Sequence, residues 1–238
     1  MIIGHQHIIK FLNISIKKNR LAHAYLFAGP EHLGKETIAK EFVKSILCEK
    51  RKNNFVYCNK CSNCINIDSG LHPDFIYLEP RLEQKGKVIK KLDININQIR
   101  DLQHKLSLMP YSAAYKIAII DEIDRLNQEA ANCLLKTLEE PPNNSILILI
   151  AHNLKQILPT IKSRCQLIKF EIVNQKEIFD GLKAMNGIKS SCYNLEIINK
   201  LSLGYPGLAI KFLKERDSLK EVKFIFEELE KILNSDIS

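Results

Sequence analysis

Tryptophan is absent from this chain, and aromatic residues make up only 7% of its 238 residues. No apolar run approaches the roughly 20 residues that a membrane-crossing helix needs, which excludes a helical span and a membrane partner. The segment Met1–Gln6 has no basic stretch followed by an apolar core and a cleavage site. No secretory signal is therefore read there, and a cytoplasmic location is expected. Internal repeats and low-complexity tracts are also missing. In the cytoplasm the seven cysteines would be unusual as disulfides. What remains is an ordinary globular composition, 45% hydrophobic and 26% charged. The length suits one large domain and a smaller one. The net charge of +8 suits a partner carrying phosphates, although a solvated lysine surface gives the same figure.

The apolar pattern changes along the chain. A helix is expected over about residues 5–19, with Ile8, Ile9, Leu12 and Ile16 on one face. Short apolar runs at 24–28, 74–78, 116–121, 146–150 and 167–170 read as strands. The runs at 116 and 146 are continuous, as in strands buried on both faces of a parallel sheet. Helical patterns fill 34–47, 94–106 and 128–138, and Pro141-Pro142 stops the last. Residues 84–91, with four lysines and a glycine, read as a flexible loop. Strands alternating with helices imply a parallel α/β sheet. After Glu171 only helices are expected, at 175–184, 195–203, 206–216 and 219–233, with a domain boundary near Val173.

Gly29-Pro30-Glu31-His32-Leu33-Gly34-Lys35 follows the first strand. A loop of this spacing cradles nucleotide phosphates with backbone N–H groups, and its lysine reaches the outer phosphates. Glu36 stands where a Mg²⁺-holding hydroxyl belongs. Thr37 comes one residue late, a rotation of roughly 100° on a helix. A carboxylate there repels phosphate, so ATP and Mg²⁺ are expected to bind poorly or not at all. Asp121 and Glu122 end the strand that begins at Lys116. They are placed to hold Mg²⁺ and polarise water; alone, they would read as solvated acids at a strand end. In order with the phosphate loop they complete a degenerate nucleotide site of Gly29, Gly34, Lys35, Thr37, Asp121 and Glu122.

Cys48, Cys58, Cys61 and Cys64 have the spacing of a closed, structural four-thiolate zinc site. Free thiols, or a redox pair at Cys58 and Cys61, are the alternatives. Lys50, Arg51, Lys52 and Lys60 would offset the thiolate charge. Cys133 and Cys192 read as ordinary buried thiols. Arg164, in Ser163-Arg164-Cys165, reads by itself as a plain surface residue; its alternative role, an arginine finger acting in trans, depends on family context.

Several of these motifs, with His72-Pro73-Asp74, Asp121–Asn127, Ala130–Pro142 and Leu158–Cys165, resemble in order those of bacterial clamp-loader subunits of the AAA+ class. Within DNA polymerase III the pattern is most similar to the delta-prime type, over about residues 1–215. That resemblance implies a RecA-like AAA+ domain over 1–172 with a zinc module at 48–64, then an all-helical lid over 173–216. Residues 217–238 would begin a truncated or reduced helical collar. It also implies DNA replication as the process. The subunit would be non-hydrolysing and would supply Arg164 to a neighbouring ATPase during sliding-clamp loading. Expected partners are the delta and gamma/tau subunits and, through the assembly, the sliding clamp and primer–template DNA. Leu208 lies where active loaders carry a phosphate-sensing arginine, and His152-Asn153 lies near the other sensor position. The alternatives are a gamma-type ATPase subunit and a zinc-dependent nucleic-acid-binding module. The latter is weakened by having only Phe55 and Tyr57 as aromatics within the cysteine module.

Overall fold

The computed structural model describes residues 2–51, 54–85, 88–185 and 192–214. The helix expected at 219–233 and the collar at 217–238 lie outside these residues. The described chain forms two units. One comprises residues 6–30 and 35–170; the other joins residues 31–34 and the segment after Phe170 to the first five residues.

The larger unit is built on a five-stranded parallel sheet. Its strands are β1 (Ala24–Ala28), β2 (Phe75–Leu78), β5 (Lys116–Ile120), β6 (Ser145–Ala151) and β7 (Gln166–Lys169), in the order β2-β5-β6-β1-β7. β1, β5 and β6 are buried along their whole lengths, as continuous apolar runs require. β7, an edge strand, buries fully only Ile168. On one sheet face Leu26, Ala118, Ile120, Leu147 and Leu149 pack with α4 (Ile96–Ser107) and α5 (Gln128–Glu139). On the other, Tyr25 meets Phe42 of α2 (Lys35–Leu47) edge to face, ring centroids 5.3 Å apart. Each such fully buried large side chain stabilises the fold by roughly 1.5–3 kcal/mol.

Local capping sets the helix starts. Asn95 accepts from the Gln98 N–H while the Gln98 side chain accepts from the Asn95 N–H, a reciprocal box opening α4. Asn127 accepts from the Ala130 N–H and opens α5. α1 (Gln6–Lys17) begins one residue later than expected, because His5 has φ +56°. His5 is turned to Leu33, its Nε2 2.9 Å from that carbonyl. The segment expected to be a flexible loop is instead an antiparallel hairpin. β3 (Leu82–Lys85) pairs with β4 (Val88–Lys91), Leu82 opposite Lys91 and Glu83 opposite Lys90. Opposite charges facing across strands, Glu83 and Lys90, favour that register.

α3 (Ser62–Asp68) follows the cysteine segment, and the short α6 (Pro159–Lys162) precedes β7. The smaller unit contains α7 (Gln175–Ala184), α8 (Cys192–Leu201) and α9 (Pro206–Lys214). Ile3, Val173, Ile178, Leu182, Ile198, Ala209 and Phe212 form its core. Residues 31–34 belong to it through the His32 carbonyl, which accepts from the Gly207 N–H at 2.7 Å.

Candidate functional site

The phosphate-type loop leaves β1 at the carboxyl edge of the sheet. Gly29 is required there: its φ is +154°, and a Cβ would meet the Phe170 carbonyl oxygen at 2.5 Å. Gly34 has φ +83°, which a side chain would strain although the space is open. Lys35 is only 4% exposed. Its ammonium donates to the loop's own carbonyls, Gly29 at 2.6 Å and Pro30 at 2.5 Å. Thr37 is exposed.

Glu36 is half-exposed and pairs with Lys40 at 2.6 Å, one helical turn on. The Lys40 ammonium also lies 4.6 Å from the centre of the Tyr77 ring. Tyr77, on β2, donates its hydroxyl to Asp121 Oδ2 at 3.1 Å. Burial, then the charges of Asp121 and Glu36, push the Tyr77 phenol far up. Asp121 is itself raised above the ordinary carboxylate value, first by burial and also by the charge of Glu36. The Glu122 N–H, the Tyr77 hydroxyl and His152 pull the other way. Two carboxylates and a phenol, those of Glu36, Asp121 and Tyr77, thus gather at this edge of the sheet. Glu122 is buried and takes the left-handed conformation, φ +50°. Its carboxylate is ion-paired with Lys91 of β4, and with Arg125 Nε at 2.7 Å. Both of its oxygens are therefore engaged within the chain. Asp124, one turn on, accepts from the His152 N–H at 2.8 Å.

Arg164 lies between α6 and β7. Its Nη2 sits 2.8 Å from Glu139 Oε1 at the end of α5, and its Nη1 donates to the Thr160 carbonyl at 3.0 Å. Both side chains reach solvent, 35% exposed for Arg164 and 49% for Glu139. Leu208 of α9 packs against the core of the helical unit.

The four cysteines Cys48, Cys58, Cys61 and Cys64 converge. Cys48 follows the end of α2, and Cys61 and Cys64 open α3. All four Sγ atoms lie within 4.8 Å of one another, with Cys48 at 3.6 Å from Cys58 and 3.9 Å from Cys61. Four thiolates at about 2.3 Å from a tetrahedral zinc would sit about 3.8 Å apart, so the cluster fits a metal ion of that kind. The Lys60 and Cys61 N–H groups bring Cys58 down to about 6, while burial pushes Cys64 up to about 12. Cys133 and Cys165 are separate, half-buried free thiols; the side chain of Cys192 lies outside the description.

Spacing could not show Tyr77, Lys91, Arg125 and Glu139 as members of these sites. Each arrives from a different element. No helix among the described residues is long and apolar enough to cross a membrane.

Comparison with known proteins identifies the family. The family described as DNA polymerase III, delta subunit, matches residues 4–174. DNA polymerase III subunit delta' of Bacillus subtilis is 38% identical over 74% of this chain and 50% of its own length. Subunit tau of the same organism is 36% identical over 74% of this chain and 30% of its own length. The chain thus spans half or less of these relatives. Among solved structures, the Thermotoga maritima RuvB Holliday junction branch migration motor shares the fold, with a TM-score of 0.59 and 21% identity. That match covers 93% of this chain and 64% of that one. The chain belongs to the family of DNA polymerase III clamp-loader subunits.

Proposed function

We propose that this chain is a delta-prime-type subunit that hydrolyses little or no ATP and presents Arg164 to the nucleotide of a neighbouring ATPase subunit. The observation that carries the reading is the Glu36–Tyr77–Asp121 constellation. A divalent cation bridging nucleotide phosphates needs the hydroxyl that Glu36 replaces, and its carboxylate repels those phosphates. Lys35, bonded to Gly29 and Pro30, must give up two charge-assisted hydrogen bonds before it meets a phosphate. Leu208 cannot sense one. The position of Arg164, a third exposed and held by a surface ion pair, supports the trans role. In this reading the four cysteines hold a structural zinc, residues 173–216 act as a lid, and 217–238 begin a collar. The partners are the delta and gamma/tau subunits and, through them, the clamp and primer–template DNA.

The comparable likeness to a tau subunit keeps a gamma-type ATPase as the second reading. Calorimetric titration of ATP with Mg²⁺ into the purified chain separates the two. We expect no Mg²⁺-dependent heat and no turnover. Mg²⁺-dependent binding followed by hydrolysis at a rate typical of the class would overturn the proposal.

A further inference from the structure

The solvent side of α1 belongs to neither the nucleotide site nor the cysteine cluster. Residues 1–30 contain Lys10, Lys17, Lys18 and Arg20 and no aspartate or glutamate, so they carry half of the chain's net charge of +8. At about 100° per residue, Lys10, Phe11, Ile14, Lys17 and Lys18 fall within roughly 120° of one another around the helix. All of them are exposed. Ile8, Leu12 and Ser15, the buried residues of α1, lie on the opposite side. Lys18 follows the last residue of α1, but its N–H still bonds the Ile14 carbonyl at 2.9 Å, so it continues the same turn.

The stripe has an apolar centre. Phe11 is 41% exposed and Ile14, one turn on, 51%. Asn13 accepts the Phe55 N–H at 2.9 Å and ties to the side of α1 the segment that carries Val56, itself 52% exposed. Among the described residues none of the four cations has an ion pair or a side-chain hydrogen bond. The face therefore presents apolar side chains ringed by positive charge that nothing in the chain neutralises.

These features select one kind of occupant. Duplex DNA would use the cations for its phosphates and leave Phe11 and Ile14 in water. An apolar centre with a charged rim is instead the anatomy of a protein interface. A second copy of the chain would bring the same cations against these, which is unfavourable. An extended peptide needs free backbone groups to pair with, and a helix face has none to offer. Another helix can lay its own apolar ridge against Phe11 and Ile14 and flank it with carboxylates.

We propose that the outer face of α1 docks an acidic amphipathic helix of a partner protein, with Phe11 and Ile14 at the centre and Lys10, Lys17 and Lys18 pairing its carboxylates. The small apolar area places this contact among the weak, transient ones, below about 1,200 Å². It uses no residue of the nucleotide site and does not involve Arg164, so it holds whether or not the delta-prime reading does.

The test is a titration of the ¹⁵N-labelled full chain with a designed peptide of about 20 residues, long enough to form a helix. The peptide carries leucine along one face, glutamate flanking it and alanine behind. Controls are a peptide of the same composition with the leucines spread around the helix, and a DNA duplex of matched charge. We expect saturable shifts centred on residues 10–18, at least about tenfold tighter for the amphipathic peptide than for either control. Phe11→Ser and Ile14→Ser should each weaken its binding by at least about fivefold, and Lys17→Glu by at least about tenfold. Raising sodium chloride from about 0.05 to about 0.5 M should also weaken it severalfold. The replaced side chains are exposed, so melting temperatures should stay near that of wild type; either serine variant suffices if the other fails to fold. Absence of saturable shifts on α1 would overturn the proposal. So would binding of the duplex or the spread-leucine peptide that is as tight and indifferent to both serine variants, which would make the face a site for charge alone. Self-association of the free chain that Phe11→Ser abolishes would assign the face to a second copy and overturn it as well.

Discussion

Replacing Arg164 by alanine distinguishes a structural guanidinium from a catalytic one, because the two losses differ greatly in size. Within the chain Arg164 has an ion pair with Glu139 and a hydrogen bond to the Thr160 carbonyl. Both ion-pair partners are more than a third open to water, and pairs of this kind contribute only about 0.2–1 kcal/mol. Arg164→Ala should therefore lower the melting temperature by no more than about 4 °C. A finger that stabilises charge on a transferring phosphoryl group is worth about 10³–10⁵ in rate. That corresponds to roughly 4–7 kcal/mol. The assay is single-turnover ATP hydrolysis by the loader reassembled from its subunits, with assembly checked by gel filtration. We expect the adjoining site to lose most of its rate while the complex stays intact. Glu139→Gln breaks the internal pair and leaves the guanidinium. Its effect on rate should stay within about fivefold, the equivalent of 1 kcal/mol. An intact Arg164→Ala assembly hydrolysing within about threefold of wild type would refute the reasoning. A fall in melting temperature well beyond the limit above would make Arg164 a structural residue instead.

The remaining predictions concern the metal cluster and two aspartates. Purified protein should carry about one equivalent of zinc by mass spectrometry, in keeping with a four-thiolate site. Chelation should expose Cys48, Cys58, Cys61 and Cys64 to a thiol reagent; equal reactivity before and after would remove the metal. Asp74→Ala, which leaves three loop N–H groups without their acceptor, should cost about 2–3 kcal/mol in urea unfolding at neutral pH. Hydrogen bonds from Ser112, Tyr111 and Ala113 outweigh burial and hold Asp74 below the ordinary carboxylate value. Its contribution is therefore full above the unfolded value near 3.9 and fades as pH falls through the folded one. A pH-independent penalty would contradict this. Asp121 has the opposite sign: raised by burial and by Glu36, it opposes folding once pH rises above the unfolded carboxylate value. Asp121→Asn should raise the melting temperature at neutral pH and change it little in acid; destabilisation at neutral pH would show that the carboxylate has a partner the geometry does not reveal.

Much of this protein could be read along the chain because the governing physics is local. Continuous apolar runs placed β1, β5 and β6, since strands covered on both faces cannot alternate. The cysteine spacing placed four thiols in one small cluster, and the helical rotation between Glu36 and Thr37 set those two side chains apart on α2. The hairpin of β3 and β4 was missed for a local reason too: a lysine-rich segment reads as solvated until its cross-strand partner is known. Tertiary structure decided the rest. Tyr77 reaches Asp121 because β2 lies beside β5 in parallel register, although the residues are 44 apart in sequence. Lys91 neutralises Glu122, and Glu139 holds Arg164, only once a hairpin and a helix end have been packed into place. Periodicity reports which face of an element is buried, whereas the order of strands in the sheet, set by the balance of all crossovers at once, determines which polar groups meet there.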